Sequence, residues 1–264
     1  MAYTTLPAVI TSIGSPTRVP STSKINIPNT GVTDIPASLP LFSSLAPSVT
    51  WLQAVQADRG ITLNGSTVSA WADQSGNAKD YSEATNQPTY NATGLNGRPT
   101  LTFDGTNDKL VSLLNLAAPG TTPTWMFLCV KQISWTSGDR IVGATNNANI
   151  LILFQTTATP SVSQYNSAAV SANTAGTLAT WARWESLFSA SASDYLKIGA
   201  TSSGGVSAGG TGGGTGREIA SAAGASFANI EIFALGYASA EPTAAEKLAL
   251  STWAQLYGGA GVAI

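Results

Sequence analysis

The chain has 264 residues, a formal net charge of −2, no histidine, a single cysteine, and charged side chains at only 10% of positions. Without clustered Lys and Arg, nucleic acid is excluded as an expected partner. The missing histidine removes Ser-His-Asp and Cys-His catalysis and His-ligated zinc, and one cysteine leaves neither an intramolecular disulfide nor a thiolate cage.

In chain order, residues 1–47 stand apart. Seven of the 13 prolines fall here, among Thr, Ser, Val and Ile. Proline at this density forbids helix and interrupts central strands, so the segment reads as extended. Its apolar content exceeds that of an ordinary solvated linker. The expectation is an anchoring arm that buries Val19, Ile25, Ile27, Val32, Ile35 and Leu39 on another protein. The N-terminus has no basic n-region followed by a long apolar h-region, so no Sec signal peptide is expected. No apolar run of about 18 residues occurs, so membrane insertion is not expected either.

From Trp51 onward the pattern is regular, with turn clusters every ten or so residues, and the expected class is all-β. Strands are predicted at Val68–Trp71, Thr100–Phe103, Thr124–Gln132, Arg140–Ala144, Ile150–Gln155, Val162–Asn166, Ala179–Ser189, Tyr195–Ala200, Arg217–Ala220 and Asn229–Tyr237. "WMFLCVKQI" is apolar on both faces, which predicts a central strand covered on both sides. "NIEIFALGY" alternates Ile230, Ile232 and Ala234 against Glu231, Phe233 and Leu235. Cys129 reads as a small buried apolar residue. Gly204–Gly216 lacks the Gly-Lys-Ser/Thr end of a phosphate loop and reads as a flexible hairpin tip. Thr243-Ala-Ala-Glu246 is a capping box, and Ala245, Ala249, Trp253 and Leu256 form an apolar stripe. Together they predict a helix over 244–257 with Gly258 as its C′ residue.

Several of these pieces occur together in one family. Trp51-Leu-x-Ala54 is followed by a turn made of Trp71, Asp73, Ser75, Gly76 and Asn77. Next comes Gly97, Pro99, Phe103, Asp104, Gly105, Asp108 and Leu110. With the closing stretch Ile230–Gly258, these resemble concanavalin A-like, laminin-G-like domains of bacterial and phage proteins. Ala78-Lys79 departs from the family's second Gly-rich pair, and residues 1–47 lie outside the resemblance. The resemblance implies an antiparallel jelly-roll β-sandwich across 48–264 with its helix at 244–257. It does not imply one function, because the fold hosts lectins, glycosidases and inert modules.

Three kinds of site are worth seeking. Glycoside hydrolysis needs two carboxylates facing one cleft. Glu231 and Glu218 each stand alone in their strands, so no enzymatic activity is expected. Asp73, Asp104, Asn107 and Asp108 offer hard oxygen ligands and are the candidate calcium ligands, against the alternative of ordinary turn chemistry. A glycan site needs an exposed aromatic platform. Trp135, in the loop "SWTSGD", is the first candidate, ahead of Trp181, Trp184, Tyr81, Tyr90 and Tyr165. Trp51, Trp71, Trp125 and Trp253 are assigned to the core.

A sandwich of extracellular type without a signal peptide or disulfide fits a phage virion. The expected function is a non-enzymatic structural virion protein: a capsid decoration, head-fibre or tail-associated chain. Its arm would hold other virion proteins, and its sandwich, as a homo-oligomer, would be displayed toward a cell-surface glycan. The alternative is a lectin-like module of a bacterial surface or secreted protein.

Overall fold

The computed structural model describes residues 39–119, 121–146, 152–156, 160–166, 170–189, 193–204 and 212–264. Val19, Ile25, Ile27, Val32 and Ile35 lie outside the described residues. Eighteen strands are named in them. The first nine are β1 (Trp51–Gln56), β2 (Ile61–Asn64), β3 (Thr67–Trp71), β4 (Tyr81–Ser82), β5 (Thr89–Leu95), β6 (Arg98–Asp104), β7 (Leu110–Ser112), β8 (Thr124–Gln132) and β9 (Arg140–Gly143). The rest are β10 (Ile152–Gln155), β11 (Ser161–Tyr165), β12 (Val170–Ala175), β13 (Trp181–Phe188), β14 (Tyr195–Ile198), β15 (Thr201–Gly204), β16 (Arg217–Ile219), β17 (Asn229–Ala238) and β18 (Val262–Ala263). Helix α1 spans Ala244–Gly258.

Two runs of hydrogen-bonded neighbours make the architecture. In the first, β17 lies between β8 and the pair β1 and β6, and β8 continues through β13 and β14 to β15. The second runs β2, β3, β4, β7, β16, β9, β10, β11, β12. A β3–β5 pair and the β5–β6 ladder join the runs, giving a nearly closed antiparallel barrel or sandwich. The short β13–β18 pairing is parallel.

β8 shows why the layers form. Seven consecutive residues, Thr124–Val130, are buried, because both faces are covered. Trp125 and Phe127 face a helical layer, where Phe127 meets Trp253 of α1 at 6.1 Å. The opposite face of this first run meets the second: Ser186 Oγ of β13 donates to Gln164 Oε1 of β11 at 2.6 Å.

β17 corrects the expected alternation. Its register against β8 shifts between Ile232 and Ala234, so Phe233 sits in a bulge. Beyond a bulge the pleat parity inverts. Leu235 and Tyr237 therefore pair with Leu128 and Met126 and share their face, while Phe233 stacks on Tyr257 of α1 at 4.3 Å. Gly236 then comes under the aromatic layer, where a Cβ would lie 2.5 Å from the Trp51 ring.

The placement of Leu39 differs from the expectation. Leu39 is 2% exposed within this chain's own core, so it cannot anchor to another protein. Phe42, in a 3₁₀ turn over Phe42–Leu45, is fully buried against Trp51, Phe127 and Trp253. The folded unit thus includes residues 39–47, ahead of the boundary expected after Pro47.

The capping box forms as expected: Glu246 N donates to Thr243 Oγ1, and Thr243 N donates to Glu246 Oε2. The same carboxylate accepts from the Ser48 amide and hydroxyl, which ties the helix start to the chain before β1. The helix ends one residue later than predicted, because Gly259, with φ of 72°, supplies the left-handed turn in place of Gly258. Of the glycine run, residues 205–211 lie outside the described residues. Gly214, at its far end, is pinned by a two-bond bridge to Leu116, so that part is not a free hairpin tip. No described helix is long and apolar enough to cross a membrane.

Candidate functional site

Side chains alternate across a strand, so "WARWES" in β13 sends Ala182, Trp184 and Ser186 one way and Arg183 and Glu185 the other. Arg183 and Glu185 lie opposite Cys129 and Phe127, on the helix-covered face. Near its middle, α1 seals that face with Trp253. Nearer its start, Ala244, Lys247, Leu248 and Ser251 stand across from Arg183, Glu185, Tyr195, Lys197 and Ser202, around a cleft of about 430 Å³.

The cleft concentrates charge in a chain that has little. Arg183 and Glu185, each almost wholly buried, are paired at 2.8 Å. Lys247 Nζ reaches Glu241 Oε1 at 2.6 Å. The Tyr195 hydroxyl accepts from the Trp125 indole at 2.9 Å and donates to Glu241 at 2.8 Å. The Arg183 Nε has no partner among the described residues. Burial, then the nearby Arg183 and Lys247, hold the Lys197 pKa below its ordinary value, although Glu185 acts the other way.

Three cations therefore face two carboxylates, and both carboxylates are already engaged. Desolvating a cation that is only partly compensated is unfavourable. An incoming anion relieves that cost, so the arrangement suits an acidic ligand. Burial, followed by Glu185 and the bond to Glu241, raises the pKa of the Tyr195 hydroxyl.

The candidate calcium ligands Asp73, Asp104, Asn107 and Asp108 lie in two hydrogen-bonded turns. Asp73 accepts from the amides of Ala54, Ser75 and Lys79 and from the Ser75 hydroxyl, at 2.8–3.0 Å, which occupies both of its oxygens. Asp104 Oδ1 accepts from the amides of Thr106, Asn107 and Asp108, and Asp108 Oδ2 accepts from the Asp104 amide. Burial alone would raise the Asp104 pKa, but the three amides together bring it below normal. Asp108 moves up, through burial and the Asp104 charge. No group of three or more His, Cys, Asp or Glu residues placed to hold a metal ion occurs among the described residues. The stretch closes a corner: Gly105, at φ 74°, makes the turn, and Phe103 and Leu110 bury on either side of it.

Trp135 is half-buried and packs against the core. Trp181, Trp184 and Tyr81 are buried, as are Trp51, Trp71, Trp125 and Trp253. Sequence reasoning did not reach Arg183, Glu185, Lys197, Glu241 and Lys247. One signal was available: two opposite charges at i and i+2 inside an otherwise apolar strand, in a chain this poor in charge.

No family model matches the chain, and no curated protein matches it. Solved structures do. A Trypanosoma rangeli sialidase in complex with the inhibitor DANA aligns over 89% of this chain and 35% of its own, at 12% identity and a TM-score of 0.52. A botulinum neurotoxin type C aligns over 78% of this chain and 51% of its own, at 11% identity and 0.56. A GH54 α-L-arabinofuranosidase aligns over 80% and 60%, at 10% identity and 0.55. The chain thus spans roughly a third to three-fifths of the structures it matches. Two of the three are glycoside hydrolases; at such identities the likeness is one of fold, all-β, and not of activity.

Proposed function

We propose that residues 39–264 form a non-catalytic, lectin-like module of the concanavalin A-like jelly-roll class, which binds a carboxylate-bearing glycan between α1 and β13–β15. The observation that carries this reading is the excess of cations in the cleft: Arg183, Lys197 and Lys247 against Glu185 and Glu241. A sugar carboxylate would take a charge-assisted bond from Lys197, whose ammonium forms no ion pair among the described residues. The fold likeness to a sialidase, and to a neurotoxin that interacts with two ganglioside molecules, supports the choice of an acidic sugar. The ion pairs that engage both carboxylates support binding without turnover.

The module belongs, in this proposal, to a phage virion structural protein: a capsid decoration, head-fibre or tail-associated chain. It self-associates and attaches to other virion proteins through its N-terminal segment. The proline-rich composition of that segment and the absence of cysteine pairs support this. Deleting residues 1–38, rather than 1–47, should leave a folded domain that no longer associates with particles. Unimpaired association would remove the arm from the account.

Binding is tested by calorimetry with sialyllactose against lactose. The acidic sugar should bind at least tenfold more tightly, and Lys197→Gln should erase most of that preference. Equal affinity for the two, or release of free sugar on incubation, would contradict the reading.

A further inference from the structure

The same strands carry a second recess on their other face. Where Arg183, Lys197 and Ser202 line the cleft, their neighbours Ala182, Trp184, Ile198 and Thr201 line a separate pocket of about 160 Å³, with Gln132 at the end of β8. Period-two alternation along β13, β14 and β15 places the two on opposite faces.

Gln132 is the unusual residue. It is 1% exposed, yet neither its amide nitrogen nor its carbonyl oxygen has a hydrogen-bond partner among the described residues. Buried carboxamides are normally paired at both ends, because an unpaired one loses its solvation without compensation. Its surroundings keep it open. Gly176 passes so close that a Cβ there would lie 3.0 Å from Gln132 Oε1. Ala179 holds the left-handed conformation, with φ of 56°, while its amide bonds the Gln132 backbone carbonyl at 2.7 Å. The loop is thus fastened to the main chain of Gln132 and leaves the side chain unsatisfied.

The lining selects the occupant. It includes no charged residue. One donor and one acceptor stand side by side on Gln132, and apolar surface is supplied by Trp184, Ile198 and Ala182. A ligand that fits presents a carbonyl acceptor beside a small apolar group. We infer that this pocket takes the acetamido group of an N-acetylated sugar. Its carbonyl accepts from Gln132 Nε2 and its methyl lies on the indole of Trp184, while its N–H, which points away from the carbonyl in a trans amide, faces the rim. The exposed Thr177, Thr180 and Thr201 at the rim offer hydroxyls to the sugar ring. This site is separate from the cleft and stands whether or not the cleft binds an acid.

The test is saturation-transfer NMR on the full chain with N-acetylglucosamine, a neutral probe, against glucose at equal concentration. The acetyl methyl should show the strongest saturation of any group on the sugar, with glucose giving under a tenth of that signal. Gln132→Leu, which keeps the volume and removes both polar ends, should weaken binding at least tenfold, with its fold checked by circular dichroism. No saturation with either sugar would make the recess a water-filled void and overturn the inference. So would equal signals from the two sugars, or a folded Gln132→Leu chain that binds within twofold of the parent. If that variant does not fold, the comparison of the two sugars on the parent chain decides alone.

Discussion

Helix α1 meets the sheet in two different ways along its length. Around Trp253 and Tyr257 the contact is a continuous aromatic layer: Phe42, Trp51, Phe127 and Phe233 all lie within ring-contact distance of one another or of the helix. Toward Ala244–Ser251 it opens into the charged cleft over β13–β15. Both contacts use the same helix and the same face of β8 and β13, so topology does not separate them. Side-chain chemistry does. Apolar surface gains free energy by closing, roughly 25 cal/mol per Å². Charged surface closes only if every charge finds a partner, and here the count of cations and carboxylates does not balance.

The largest effects should come from confusing the two regions. Trp253→Ala removes the ring that links Phe42, Phe127, Phe233 and Tyr257, together with the indole bond to the Pro40 carbonyl. A loss of about 3–5 kcal/mol in denaturant unfolding is expected. Arg183→Met, on the cleft side, strands the buried Glu185 and should cost about 3 kcal/mol. The double variant Arg183→Met/Glu185→Leu should recover most of that loss, because removing both charges also removes their desolvation. No recovery would show that the pair is stabilising in itself, and the contrast between the two regions would fail.

The smallest effect lies at the helix start and is read by pH. The bonds from Ser48, partly opposed by burial and reinforced by Thr243, hold the Glu246 pKa at about 2, below its ordinary 4.5. A depressed folded-state value means that the unfolded chain takes up the proton first. The contribution is therefore fully present above pH 4.5 and fades as pH falls toward 2. Glu246→Gln should flatten that part of the stability profile and leave the neutral range nearly parallel to the parent. The effect is modest because the carboxylate is largely in solvent, where such bonds are screened.

Much of the aromatic region was legible in the sequence. Trp125, Phe127 and Cys129 alternate with Met126, Leu128 and Val130 over a length that only a central strand explains, and Thr243 with Glu246 marks the helix start. The bulge at Phe233 was not legible. It depends on how β17 must shift to pass from β6 to β1, a long-range fit that local pattern does not encode. The same holds for residues 39–47. Their prolines suggested an arm, and only the packing of Phe42 under Trp253 shows that they complete the core. The cleft was the least legible part. Arg183 and Glu185 sit in one strand, Lys197 in the next and Lys247 in the helix, so the charges meet only after folding. The acids that were conspicuous in sequence, Asp73 and Asp104, were conspicuous because turns need them.

The central claim is that the unbalanced charge beneath α1 holds an acidic sugar and leaves it intact. Calorimetric titration of the parent chain with sialyllactose, followed by analysis of the recovered sugar, tests it most directly. The account predicts saturable binding that weakens as salt rises, with the trisaccharide recovered whole. Binding that ignores salt and persists in Lys197→Gln, or recovery of lactose in place of the trisaccharide, would contradict it.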